Sequence, residues 1–152
     1  MLKIGGKQFP VFKPYGKPAY EIFVSGCDRK CPGCLNNELA DPSYGQKVDV
    51  SILSSVMLAR TELFEIISIS GGDLLCSNGY DAFEFVSALR KVFPEKTFWL
   101  FTGEDVVENI PQWAKDIFDV IKMGSYKQEL REPEGTFPAS SNQRVMRKGT
   151  DY

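Results

Sequence analysis

FEIISISGGD, residues 64–73, decides the fold. Isoleucine, phenylalanine and serine fill six of its first seven positions, Glu65 being the other, and read as a strand, which the glycine pair ends. Upstream, residues 50–63 carry Ile52, Leu53, Val56, Met57, Ala59 and Leu63 close to helical spacing, with Asp49 or Ser51 as cap. Downstream, residues 80–93 place Phe83, Val86, Ala88, Leu89 and Val92 on one face of a helix that Pro94 stops. A further strand is predicted at Thr97–Phe101 (TFWLF), ending at Thr102-Gly103. On the other side, Tyr20–Ser25 (YEIFVS) is an earlier strand, and DPSYGQK at 41–47 is a turn-rich connection. A short helical piece around Pro111–Lys115 precedes a last strand at 118–123. Residues 1–19 read as a hairpin or irregular lead-in, and the polar stretch from 124 to 152 as an irregular extension.

Strands that alternate with helices imply βαβ units: an α/β protein with mostly parallel strands, in one domain spanning residues 1–152. In such sheets ligands bind at the carboxyl ends of the strands. Three unusual stretches fall there. GCDRKCPGC (26–34) follows the first strand, Gly71-Gly72-Asp73 the second and Thr102-Gly103 the third.

The chain has 152 residues, a net charge of -2, 43% hydrophobic and 25% charged residues, and no histidine. That balance argues against a basic nucleic-acid surface. No apolar run approaches the roughly 20 residues of a membrane span. MLKIGGKQFP at the start has no signal-like apolar region, so a cytoplasmic setting is expected. There, clustered cysteines read as metal-binding or redox-active rather than as a disulfide framework.

Cys27, Cys31 and Cys34 stand at i, i+4 and i+7 among Asp28, Arg29, Lys30, Pro32 and Gly33, too polar a setting for buried apolar thiols. Zinc usually takes four Cys or His ligands, and only the distant Cys76 remains as a fourth. Cys76, alone in sequence, reads as structural. A thiol–disulfide site at Cys31-Pro-Gly-Cys34 leaves Cys27 without a role. An iron–sulfur cluster uses all three thiolates, and three from one loop leave one iron open for chemistry. Gly26 and Gly33 let the loop curl, Pro32 fixes a turn, and Arg29 and Lys30 bring positive charge to the thiolates.

The C-x3-C-x2-C spacing resembles the signature of the radical S-adenosylmethionine enzymes. GCDRKCPGCLN, SGGD, FPEKTFWLFTG, DVIKMGSYKQEL and SSNQR, in that order over about residues 20–145, resemble the activating components of anaerobic ribonucleotide reductases. The resemblance implies an incomplete (β/α) radical-SAM barrel of four to six strands. It implies a [4Fe–4S] cluster with Cys27, Cys31 and Cys34 each on one iron, and S-adenosyl-L-methionine on the fourth. Reductive cleavage of that nucleotide gives a 5′-deoxyadenosyl radical, which takes a hydrogen atom from a glycine of the partner. Hydrogen-atom abstraction needs no general base, which suits a chain without histidine.

The resemblance also assigns residues and partners. Gly71, Gly72 and Asp73 match the motif that contacts the methionine ammonium, a donor-only group that wants carbonyls or a carboxylate. Asp73 capping a turn is the plain alternative. Thr102 and Gly103 fall on a cofactor-side loop, with a simple turn as the alternative, and Arg144 pairs with a carboxylate on cofactor or partner or belongs to an ordinary solvated surface patch. The implied partners are the large glycyl-radical subunit of the reductase and an external electron donor such as flavodoxin, with a homodimer left open. Rival readings are an activase of another glycyl radical enzyme, or a non-catalytic iron–sulfur or zinc module. Phe12, Tyr15, Trp99, Phe101 and Trp113 read as contact aromatics or, more simply, as core. Three departures stand out: Leu74 where the family has proline, Met123 where it has an acidic residue, and Pro138-Ala139 where it has Arg-Gly.

Overall fold

The computed structural model describes residues 1–29, 31–34 and 37–152. The expected charge of Lys30 beside the thiolates falls outside the described residues. The strands are β1 (Lys3–Val11), β2 (Ala19–Val24), β3 (Gln46–Lys47), β4 (Ile66–Gly71), β5 (Thr97–Phe101), β6 (Val120–Met123) and β7 (Arg144–Arg147). The helices are α1 (Asn37–Ala40), α2 (Val50–Leu58), α3 (Gly79–Val92) and α4 (Gln112–Ile117). All seven strands join one sheet in the order β3-β1-β2-β4-β5-β6-β7. The central pairs β2/β4, β4/β5 and β5/β6 are parallel. The pairs β1/β2, β1/β3 and β6/β7 are antiparallel. The sheet is open, with β3 and β7 as its edges.

Side chains on successive strand residues point to opposite faces. Tyr20, Ile22, Val24, Ile67, Ile69, Phe98, Leu100 and Ile121 share a core with Leu53 and Met57 of α2, Phe85, Val86 and Leu89 of α3, and Ala114 of α4. The alternate residues Ala19, Ile66, Trp99 and Val120 meet Tyr15 on the other face, flanked by Phe101, Phe137 and Val145. Burial on both faces explains why β4 reads as a nearly continuous apolar run.

The second face is partly polar. The Tyr15 hydroxyl donates to Glu21 and lies 2.8 Å from the fully buried Ser68 hydroxyl. Farther along that face are Ser70 and Lys122, which lead to the carboxyl ends of the parallel strands.

The fold agrees with the alternating reading in its middle and corrects it at both ends. Seven strands replace the expected four to six, because the lead-in contains β1, the stretch read as a turn-rich connection ends in β3, and the tail contains β7. β1 hides its pattern behind Gly5, Gly6 and Pro10, which weaken a strand signal. β7 is only four residues long. The helix expected over 50–63 ends at Leu58, and a separate 3-10 turn covers Thr61–Leu63. Asp49 caps α2, its carboxylate accepting from Ser51 N. Tyr15 and Trp99 are core residues, whereas Phe12 is exposed. Among the described residues no helix is long and apolar enough to cross a membrane.

Candidate cofactor site

Backbone hydrogen bonds tie the cysteine loop to the end of β4. Gly72 N donates to Val24 O and Asp73 N to Gly26 O, both at 2.8 Å. On its other side the loop is held by α1: Gly26 N donates to Leu39 O at 2.7 Å, and Cys27 N to Ala40 O at 3.0 Å. Gly72 is squeezed between these segments. A Cβ there would lie 2.5 Å from Gly26 O and 2.7 Å from Leu39 O. Gly71 has φ +101°, a backbone region that side chains rarely adopt. Gly72→Ala is therefore expected to destabilise the chain by about 2 kcal/mol through overpacking against backbone that cannot yield. Urea unfolding of the cluster-free protein checks this.

Cys27, Cys31 and Cys34 line a cavity of about 130 Å³. Gly71, Gly72 and Asp73 line it from β4, and Thr102 and Gly103 from β5. The structure thus brings all eight sequence-selected residues to one place. Larger cavities open elsewhere, about 470 Å³ beside Tyr15 and Arg147 and about 440 Å³ beside Gly5 and Tyr44, but no cysteine lines either.

Asp73 joins three loops. Its carboxylate is 1% exposed and accepts from Leu75 N at 3.0 Å, Arg29 Nε at 2.8 Å and Gly103 N at 2.8 Å. The Thr102 hydroxyl lies within 3.0 Å of both its oxygens. Arg29 belongs to the cysteine loop, Leu75 to the turn after β4, and Thr102 and Gly103 to the end of β5. Sequence reading offered Asp73 as either ligand acceptor or cap. The structure shows the cap, at the start of a 3-10 turn Leu74–Cys76, together with an ion pair to Arg29.

Residues 18–146 match the family described as a 4Fe-4S single cluster domain. The chain is 34% identical to the anaerobic ribonucleoside-triphosphate reductase-activating protein of Escherichia coli K12, over 82% of this chain and 84% of that protein. It is 33% identical to the protein of that name from Salmonella typhimurium, with the same coverage. The phage T4 protein of that name is 31% identical over 82% of this chain and 80% of its own. The chain belongs to the anaerobic ribonucleoside-triphosphate reductase-activating family.

Membership in this reductase-activating family brings a single 4Fe–4S cluster domain, and the thiol geometry can be tested against it. A tetrahedral zinc ion, with Zn–S near 2.3 Å, holds its sulfurs about 3.8 Å apart. Cys27, Cys31 and Cys34 are not gathered within 4.8 Å of one another. A cubane takes each thiolate on a different iron, which three separate cysteines can provide. The donor set fits the group: three soft thiols on one cavity wall, with Arg29 beside them.

Lys122 was missed by sequence reading. It lines the same cavity from β6, with its ammonium 5.4 Å from the Phe101 ring centre. Burial lowers it to about 8, against the opposing pull of Asp73, Cys31 and Cys34. The available signal was a lone cation inside the buried strand VIKM, where the chain alternates. Gln143 also lines the cavity, whereas Arg144 does not; its guanidinium lies 3.4 Å from Asp105 O. Met123, one of the three expected departures, is a fully buried core residue.

Cys76 is not alone. Its sulfur lies 3.1 Å from Asp28 Oδ1, and the ligand atoms of Cys27, Asp73 and Cys76 are within 4.8 Å of one another. The closeness of Cys76 holds the Cys27 thiol below its ordinary pKa, while Cys76 is pushed up by the same contact and by burial. Cys76 does not line the cavity that the other three cysteines share.

Proposed function

We propose that this chain activates an anaerobic ribonucleoside-triphosphate reductase by installing a glycyl radical, with Cys27, Cys31 and Cys34 holding the cluster and S-adenosyl-L-methionine at its open corner. The observation that carries this reading is the convergence of three thiols, Gly71-Gly72 and Thr102-Gly103 on one cavity at the carboxyl ends of parallel strands. The relatives are named as activating proteins of anaerobic ribonucleoside-triphosphate reductase. When bound, the cluster and nucleotide supply one-electron scission of a carbon–sulfur bond.

The chain's own residues bind and orient. The backbone at Gly71 and Gly72 approaches the cavity without side chains in the way and offers acceptors to an ammonium. Asp73 is already bonded to four groups, so it acts by fixing the three loops. Lys122 supplies a cation for the cofactor carboxylate. Phe101 and Tyr126 wall the cavity and exclude water. We read the open sheet as an incomplete radical-SAM barrel in a single domain, its polar second face completed by the large glycyl-radical subunit. An external donor such as flavodoxin brings the electron, the setting is cytoplasmic, and a homodimer is compatible with the reading.

The test is anaerobic reconstitution with iron and sulfide, followed by an assay for 5′-deoxyadenosine and for a glycyl radical signal in added reductase. Nucleotide cleavage with a radical in the reductase is the expected result. Cleavage without that radical, but with one in another glycyl radical enzyme, transfers the assignment to that enzyme. Iron uptake with no cleavage overturns the activase reading.

Lys122→Met is expected to keep iron content unchanged and to weaken nucleotide affinity by about tenfold or more, since a hydrogen bond to a charged group contributes about 1.5–3 kcal/mol. Equilibrium dialysis on the reconstituted variant reads this directly.

A further inference from the structure

Cys76 is the one thiol that the proposed cluster does not use, yet it sits against one that it does. We propose that Cys27 and Cys76 form a reversible disulfide in the cluster-free chain, a modification site that takes Cys27 out of the cluster pocket until it is reduced. Both cysteines are partly exposed. Their sulfurs lie within 4.8 Å of each other. Both backbones are anchored: Cys27 N donates to Ala40 O, and Cys76 N to Asp73 O, each at 3.0 Å. Bringing the sulfurs to bonding distance requires rotation about the side-chain torsions.

The oxidant is a small-molecule disulfide of the glutathione class. One protein thiolate attacks its S–S bond, forming a mixed disulfide and releasing one small thiol. The second protein thiol attacks that mixed disulfide, forms the Cys27–Cys76 bond and releases the second small thiol. Two electrons pass from the cysteine pair to the small disulfide, and the two protein thiol protons end on the released thiols. The pair also spares Cys27 from irreversible oxidation to sulfinic or sulfonic acid. A sulfur in this bond cannot ligate iron. That exclusion rests on the cluster reading above, whereas the bond itself does not.

Position in the chain makes the site easy to map. Trypsin cuts after Arg29 and Lys30 and so separates Cys27 from Cys31 and Cys34, while Cys76 falls on a third peptide. The experiment treats chelator-stripped chain, prepared without oxygen, with oxidised glutathione, then alkylates free thiols and maps the peptides. The expected product links the Cys27 and Cys76 peptides, leaves Cys31 and Cys34 alkylated, and reverts with dithiothreitol. Cys76→Ser is expected to lose the link and accumulate a glutathione adduct on Cys27. Chain first loaded with iron and sulfide is expected to be protected. A link confined to Cys31 and Cys34, or no link at all, overturns the proposal. A chain that takes up no iron yet links Cys27 to Cys76 sinks the cluster reading and leaves the pair. A chain that loads iron but links only Cys31 to Cys34 does the reverse.

Discussion

Cys31→Ala is expected to abolish both cluster retention and nucleotide cleavage, with iron falling from about four per chain toward background. A cubane held on three thiolates has no spare protein ligand. Removing one leaves two irons without sulfur from the chain. Cys76 does not line the cavity and is not gathered with Cys31, so it does not stand in for the missing ligand. Cys31 is the most informative of the three positions. Unlike Cys27 it is not gathered with Cys76, and burial raises its pKa, so the empty site gains little from its thiolate. Folding is expected to survive, because the thiol is partly exposed and outside the hydrophobic core. Iron and sulfide analysis, the visible spectrum and a 5′-deoxyadenosine assay on one preparation check all three statements. Retention of a full cluster would show that Cys31 is not a ligand.

Asp73→Ala is expected to cost about 3 kcal/mol in the cluster-free chain and several-fold in iron retention. Removing one partner of a buried ion pair costs on the order of 3–5 kcal/mol, because the other charge and its donors are left unsatisfied. Here Arg29 is 23% exposed and reaches some water, which places the cost at the lower end. Gly103 N, Leu75 N and the Thr102 hydroxyl lose their acceptor at the same time. The loss in iron retention follows from Arg29, whose place in the cysteine loop is fixed by this carboxylate. Asp73→Asn keeps the shape but turns donors toward donors, and an intermediate effect is expected. The urea midpoint and iron per chain after gel filtration measure the two consequences separately. Unchanged iron with lowered stability would confine Asp73 to a structural role.

The parallel centre of the sheet was legible because β4, β5 and the core face of β2 carry their burial in plain composition. IISIS and TFWLF leave little room for another reading. The sheet edges were not. β1 is diluted by glycines and a proline, and β7 is an isolated RVMR whose membership depends on β6 lying beside it. The site divides in the same way. Cysteine spacing and the two glycine-bearing strand ends are local signals, and the structure brings them into one cavity. The partnership of Arg29 with Asp73, the inward aim of Lys122 and the nearness of Cys76 to Cys27 are long-range. They arise only when β2, β4, β5 and β6 stand side by side. Sequence distance made Cys76 look solitary, whereas the hydrogen bond from Asp73 N to Gly26 O brings its turn back to the cysteine loop.

The central claim is a cluster held by three cysteines with one iron left to the nucleotide. Electron paramagnetic resonance of the reduced, anaerobically reconstituted chain, recorded with and without S-adenosyl-L-methionine, tests it most directly. The expected result is a [4Fe–4S] signal whose line shape changes when the nucleotide is added, and which Cys31→Ala does not give. A signal that ignores the nucleotide, or one from a cluster with four thiolate ligands, would contradict it.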